Sequence, residues 1–424
     1  MLDSIKILQD FPILATKPRG KSLIYLDSAA TSQKPRQVIE AITQYYQQHN
    51  ANVHRGVHAL SDISTTEWEA ARQEIASFFG ARPSELIITR NTTEAINGVV
   101  YGWAESALQA GDIIVTTILE HHANFVPWQQ LVKRKGLELK VVEIDEYGRL
   151  KQDQLLEWVA DPRCKLLALT HVSNTLGTLV PLETLIPAVR EANDHIKIMV
   201  DGAQSAPHMP IHFASLDADF FACSGHKLLG PMGVGVLLVR ESLLADNSMK
   251  PWLFGGGMIS EVTLEETTFH PDAADRFTAG TPDVASVVGL AAACRYLRVL
   301  GMQNVFEHDQ ELVQYALDKL VTVPEVQLLG PTQPINSEQK LDRIGSASFI
   351  YQGVHAHDVA QALDSQGVAV RSGHHCTMPL HVTHGWTATL RASFHVYSTK
   401  TDIDALIAGL SYVRQVFSTG TSNG

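Results

Sequence analysis

The stretch "IKIMVDGAQ", residues 196–204, decides the fold. Its apolar letters run nearly without interruption into Asp201, and Gly202 follows at once. A strand buried on both faces reads this way, whereas a half-exposed strand alternates. Working outward, the same kind of run recurs on both sides. Upstream are "LIIT" (86–89), "DIIVTTI" (112–118), "LELKVVEI" (137–144) and "KLLALTHV" (165–172); downstream are "ADFFACSG" (218–225) and "GVGVLLVR" (233–240). Helical stretches lie between them, such as "PLETLIPAVREAN", opened by Pro181 and Glu183. The alternation predicts an α/β domain built on a large, mostly parallel, seven-stranded sheet covered by helices.

Two helices precede this region. "PRQVIEAITQYYQQ" puts Val38, Ile42 and Tyr45 on one stripe, and "SDISTTEWEAARQEIASFFG" stops at Gly80. After Pro282 the character changes. A long helix is predicted from 283 to Gly301, then a second helix, a Pro-rich loop (331–334) and strands in "SASFIYQ", "VAVRS" and "LRASFHVY". These suit a smaller α+β C-terminal domain. The expected division is an N-terminal segment, 1–22, packing near the small domain, then a large domain, 23–290, and a small domain, 291–424. No internal repeat is visible, and only the tail "STGTSNG" reads as disordered.

Composition narrows the function. A net charge of −12 argues against nucleic acid, where Lys and Arg must replace counterions, and against an anionic membrane surface. The 424 residues, 45% hydrophobic and 18% charged, suit a globular protein of enzyme size. Cys164, Cys223, Cys294 and Cys376 form no C-x-x-C pair, so a reducing compartment is the simpler reading. The start "MLDSIKILQDFPILATKPRG" lacks the apolar run of a signal peptide, and "GVGVLLV" is too short to span a bilayer. The expectation is a cytoplasmic protein.

Ligands of a parallel sheet bind beyond the C-terminal strand ends. Those ends run into Asn91-Thr92-Thr93, Glu120-His121-His122, Asp201-Gly-Ala-Gln204 and Ser224-Gly-His226-Lys227. A lone lysine in a glycine-rich loop is usually a solvated charge, and a lone Asp at a strand end is often a turn residue. Together, at one rim, they fit pyridoxal phosphate. That cofactor needs a lysine for its Schiff base, an acid beside its ring nitrogen, a flat group against its ring and donors for its phosphate. A helix N-terminus with Thr92 and Thr93 suits the phosphate.

The segments "DSAATSQKP", "RNTTEAIN", "EHHANFVPW", "HVSNTLGT", "VDGAQSAPH", "SGHKLLGP", "AGTPD", "RSGHHCTMP" and "RAS" resemble, in order and over nearly the whole chain, those of SufS-type (group II) cysteine desulfurases. The resemblance implies a fold-type I pyridoxal phosphate enzyme and a homodimer. It further implies that sulfur is taken from L-cysteine, leaving L-alanine, for iron–sulfur cluster assembly through a SufE- or SufU-like acceptor. It assigns Lys227 as Schiff-base lysine and base at Cα, Asp201 to the ring nitrogen, Gln204 to the phenolic oxygen and His121 to the ring face. Thr93, Ser224 and His226 would hold the phosphate, with Thr281 reaching the phosphate of the other subunit. Asn174, Arg371 and Arg391 would hold the substrate carboxylate, with His54 and Arg55 nearby. Leu229 and Met232 stand where the family usually has Tyr and Thr, a change of local packing only.

Cys376 is the expected nucleophile, attacking the substrate sulfur to leave a persulfide. Adjacent His374, His375 and Cys376 cannot easily wrap a zinc ion, and no second Cys/His cluster is evident, so no metal is expected. Cys164, Cys223 and Cys294 sit in apolar patterns and read as buried filler. Arg371 and the histidines beside Cys376 make a cationic setting that favours thiolate. Gly373 and its polar neighbours predict a mobile loop. His122, His374, His375 and His381 read as structural or solvent-facing. Selenocysteine lyase and cysteine-sulfinate desulfinase share this cofactor geometry. A non-catalytic sulfur-transfer scaffold is the alternative of another class, and retention of Lys227, Asp201 and Cys376 argues against it.

Overall fold

A computed structural model describes residues 2–54, 56–335 and 340–418 of the chain. Arg55 and the tail from 419, both named above, lie outside the described residues. All seven expected strands form. They are β1 (Leu86–Thr89), β2 (Ile113–Thr117), β3 (Glu138–Val142), β4 (Cys164–Thr170), β5 (Lys197–Asp201), β6 (Phe220–Ser224) and β7 (Gly235–Val239). They make one sheet in the order β1-β7-β6-β5-β4-β2-β3. Only β7 runs against its neighbours. The reason is local. The parallel pairs are joined through crossovers that carry helices, but the Gly225–Val234 connection between β6 and β7 is too short for one. That short connection carries Lys227.

The continuous apolar runs are explained by burial on both faces. Along β4, Leu167 and Leu169 enter one core and Leu166 and Ala168 the other. Along β5, Ile198 and Val200 face one way and Met199 the other. One of these cores is roofed by the helix Val284–Leu300. It begins where the Asp283 side chain accepts from Ser286 N at 3.0 Å and ends at Gly301, whose φ of +80° favours glycine. Gly289 lets it sit close to the helix Arg36–Gln44, since a Cβ there would meet Ile42 Cγ1 at 2.7 Å. The chain then bends by 77° into a second helix, Met302–Leu320. The boundary expected at 290 thus falls inside a continuous helix. No single helix among the described residues is long and apolar enough to cross a membrane.

The C-terminal part folds as an antiparallel sheet of β8 (Val326–Leu329), β9 (Ser346–Tyr351), β10 (Arg371–Gly373) and β11 (Thr389–Ser393), in the order β8-β9-β11-β10. "VAVRS" divides: Val368–Ala369 pairs in parallel with Ile24–Tyr25, and β10 begins at Arg371. The start of the chain is therefore stitched to its end. Leu26 is buried in the core of this sheet, and Phe11 packs edge-on against Tyr397 at 4.8 Å between ring centroids.

Candidate active site

A cavity of about 270 Å³ opens at the C-terminal rim of the large sheet and is closed from above by β10, β11 and the loop after β10. It gathers Thr93, His121, Asn174, Asp201, Gln204, Ser224, His226, Lys227, Arg371, Cys376 and Arg391. The sequence-predicted site residues that it does not gather are His54 and Thr281, which line a separate groove with Asn52 and His270, and Arg55, which lies outside the described residues.

Asp201 ends β5 and is only 3% exposed. One of its oxygens accepts from Ala203 N at 2.9 Å. Burial raises its pKa, while that hydrogen bond and Lys227 pull it back. Lys227 closes the single helical turn after β6. Burial pushes its ammonium down to about 8, against the pull of Asp201. An amine with a lowered pKa is the form that condenses with a carbonyl and moves protons near neutral pH. The carbonyl of His226, one residue earlier, accepts from Ser32 N and Lys34 Nζ at 3.0 and 2.9 Å, so the "DSAATSQKP" segment holds the lysine turn in place.

The helix Thr92–Val99 points its first turn at the cavity. Asn91 caps it by accepting from Glu94 N at 3.0 Å. Ser224 Oγ lies 2.7 Å from Thr92 Oγ1 and accepts from Thr92 N at 2.9 Å. Hydroxyls gathered at a helix N-terminus suit a phosphate. Across the cavity, His121 Nδ1 accepts from Ala123 N at 3.0 Å, which leaves the proton of the neutral ring on Nε2. Burial first, and then Lys227, push His121 down to about 3. The ring is therefore uncharged at neutral pH, as a flat stacking group should be.

Beneath His121 sits a residue the sequence reading named only as a neighbour. Glu120 is 2% exposed and takes donors from Thr117 Oγ1, Thr170 N and Asn124 Nδ2 at 2.7, 2.9 and 2.6 Å. Burial pushes its pKa up to about 8, and all three donors oppose that. The carboxylate ties the ends of β2 and β4 to the His121 turn. An acid closing the run "IIVTTIL" was its only sequence signal.

Arg371 and Arg391 face each other across the β10–β11 pair, so both side chains leave the same face of the sheet. Like charges opposite one another are unfavourable unless an anion joins them. Asp27 supplies part of that charge, accepting from Arg391 Nη2 at 3.3 Å. Asn174 O accepts from Arg391 Nη1 at 2.6 Å. Arg391 is 2% exposed, and its Nε–H has no partner among the described residues. Burial lowers its pKa to about 10. A buried guanidinium with a free donor, facing a second arginine, is an arrangement that binds a carboxylate. Asp27 was missed in the sequence because its partner lies 364 residues away.

Cys376 is exposed and lines the cavity, whereas Cys164, Cys223 and Cys294 are buried. Burial pushes the Cys164 thiol up to about 12 and raises Cys223 and Cys294 as well, which keeps all three protonated and inert. The loop around Cys376, expected to be mobile from its glycine, is tied to its surroundings by hydrogen bonds in this structure. His375 and Cys376 both have left-handed backbones, at φ +50° and +60°, a geometry that costs about 1–2 kcal/mol per non-glycine residue. Hydrogen bonds hold it: Asn174 Nδ2 to His375 O at 2.7 Å, His122 N to Cys376 O at 2.8 Å, and Thr175 Oγ1 with Thr377 Oγ1 at 2.8 Å. His375 and His381 are buried, each with Nε2 against Thr389 Oγ1. Leu229 is fully buried and Met232 is exposed, so of the two departures from the family pattern only Leu229 fills core space.

The whole chain resembles known proteins. The chain is 43% identical over 412 residues to a cysteine desulfurase of Cronobacter sakazakii, covering 97% of this chain and 98% of the relative. The solved cysteine desulfurase of Thermococcus onnurineus NA1 superposes with a TM-score of 0.90 at 36% identity, over 98% of this chain and 99% of that one. The cysteine desulfurase CsdA of Escherichia coli gives 0.87, also at 36% identity and with the same coverage. Residues 24–406 match the class-V aminotransferase family, and it is to that family that the chain belongs.

Proposed function

We propose that the chain is a SufS-type cysteine desulfurase that takes sulfur from L-cysteine onto Cys376 and releases L-alanine. The observation that carries this reading is an accessible thiol in one cavity with a half-buried lysine, a buried aspartate and two facing arginines. Pyridoxal phosphate fits the donor set. Lys227 would bind its aldehyde carbon and Asp201 its ring nitrogen, with Gln204 on its phenolic oxygen and His121 on its ring. Thr93, Ser224 and His226 would hold its phosphate. When bound, the cofactor supplies an electron sink for the bond at Cα.

The residues of the chain do the rest. Arg391 and Arg371 hold the substrate carboxylate, with Asn174 fixing Arg391. Lys227 removes the proton at Cα and carries it in the cavity. The Cys376 thiolate attacks the substrate sulfur, so an S–S bond forms as the Cβ–S bond breaks. The carbon keeps the electron pair and is protonated, and alanine leaves an enzyme persulfide. Thr281 and His54 line another groove, so we place them at the site of a second copy in a homodimer. A thiol-bearing acceptor of the SufE or SufU kind would then take the persulfide sulfur toward iron–sulfur clusters in the cytoplasm. For the domains, we propose an N-terminal segment to residue 22, a cofactor-binding body, and a C-terminal body that starts at the Gly301 bend rather than at 290.

The test is direct. The protein purified with pyridoxal phosphate, given L-cysteine and a reductant, should release alanine and sulfide in equal amounts. Cys376→Ala should keep the cofactor and form no persulfide. Alanine released at the wild-type rate by Cys376→Ala, or none released by the wild type, would overturn the reading.

A further inference from the structure

We propose that His122 is a positioning residue that sets the direction of the Cys376 thiol; this deepens the desulfurase reading and rests on it. The two peptide planes on either side of the Cys376 Cα fix the Cα–Cβ bond that carries the thiol, and only rotation about that bond is then left to place the sulfur. Each plane is held by a residue from a segment that follows a strand of the large sheet. Asn174 Nδ2 donates to His375 O in the plane before, and His122 N donates to Cys376 O in the plane after, at 2.7 and 2.8 Å.

The His122 side chain then closes a ring. Its Nε2 accepts from Met378 N at 3.1 Å. Met378 opens a short helix, and its N–H is one of the donors a helix start leaves without an internal partner. His122 thus spans Cys376, Thr377 and Met378 from outside their own segment. The clamp matters because His375 and Cys376 both hold left-handed backbones that neither residue type favours. Without an external tie the loop relaxes toward ordinary backbone and the thiol turns. His122 also follows His121 directly, so one turn places both the ring face expected against the cofactor and the nucleophile.

His122→Phe keeps the ring volume and the backbone N–H but removes the acceptor; His122→Gln restores an acceptor at similar reach. In the holoenzyme, hydrogen exchange of the 374–380 peptide should quicken about fivefold in His122→Phe, the effect of losing one ordinary hydrogen bond. Persulfide formation on Cys376 should slow about tenfold, with half-saturating cysteine and cofactor absorbance unchanged, as for a misplaced reacting group. His122→Gln should return both toward wild type. Wild-type exchange in His122→Phe, faster exchange with undiminished persulfide formation, or a His122→Gln that behaves like His122→Phe would each overturn the proposal. Exchange is read without turnover, so failure of the clamp and failure of the desulfurase reading remain distinct.

Discussion

Asp201 is buried and Lys227 half-buried in the same cavity, and each moves the other's protonation toward the charged form. Asp201→Ala should lower alanine formation about 100-fold or more, because a preorganised charge in a dry site is lost. Asp201→Glu should keep more activity than Asp201→Ala. Equal rates for wild type and both variants would remove Asp201 from the chemistry. His171 allows a cleaner test of burial. It is 5% exposed, its Nδ1 has no partner among the described residues, and burial pushes it down to about 4. The unfolded chain therefore binds a proton near pH 6.5 that the folded chain refuses, so stability falls as pH drops through 6.5 toward 4. Against His171→Gln, the wild type should lose about 1.4 kcal/mol more per pH unit below 6.5 and run parallel above it, measured by denaturant titration. Parallel curves down to pH 5 would contradict this.

At the scale of elements, the phosphate end of the cavity depends on how closely β7 approaches the start of the helix Thr92–Val99. A Cβ on Gly235 would meet the Asn91 Cα at 2.6 Å, and backbone cannot give way as a flexible side chain can. Gly235→Ala should cost about 1–3 kcal/mol of stability by overpacking and should displace the Thr92–Thr93 turn. We expect a lower melting temperature together with faster loss of pyridoxal phosphate on dialysis. Unchanged cofactor retention would separate that turn from the phosphate. The strands of the large sheet were legible because burial on both faces imposes unbroken apolar runs. "LRASFHVY" was only half legible. Its first part is β11, but beyond it His395 Nε2 lies 3.2 Å from Lys227 O and Tyr397 Oη 2.9 Å from Ser28 Oγ, tertiary contacts that period-two patterning does not encode.

For the whole molecule, the separation of His54 and Thr281 from the cavity makes a statement about assembly. If Thr281 serves the site of a second copy, each site draws on two chains. Lys227→Ala and Thr281→Asp should then both be inactive alone. Mixed under conditions that exchange subunits, they should regain activity, because one site of the mixed dimer keeps both native residues. No recovery, with exchange shown by mass, would place Thr281 with its own chain. The opening segment adds a second long-range dependence: Ile24–Tyr25 pair with Val368–Ala369, and Asp27 bonds Arg391.

The sequence by itself determined the large α/β sheet, the lysine and acid at adjacent strand ends, and Cys376 as the odd cysteine. Each of these rests on local pattern: unbroken apolar runs, strand-end polar residues, and one cysteine outside an apolar context. Tertiary structure alone decided the pairing of Arg371 with Arg391, the Asp27 contact, the Glu120 anchor and the clamp on the Cys376 loop. Those depend on strand register and on contacts between segments far apart in the chain. Gly373 and its polar neighbours carry no sign of which distant groups bind the carbonyls of this loop, and here Asn174 and His122 bind those of His375 and Cys376.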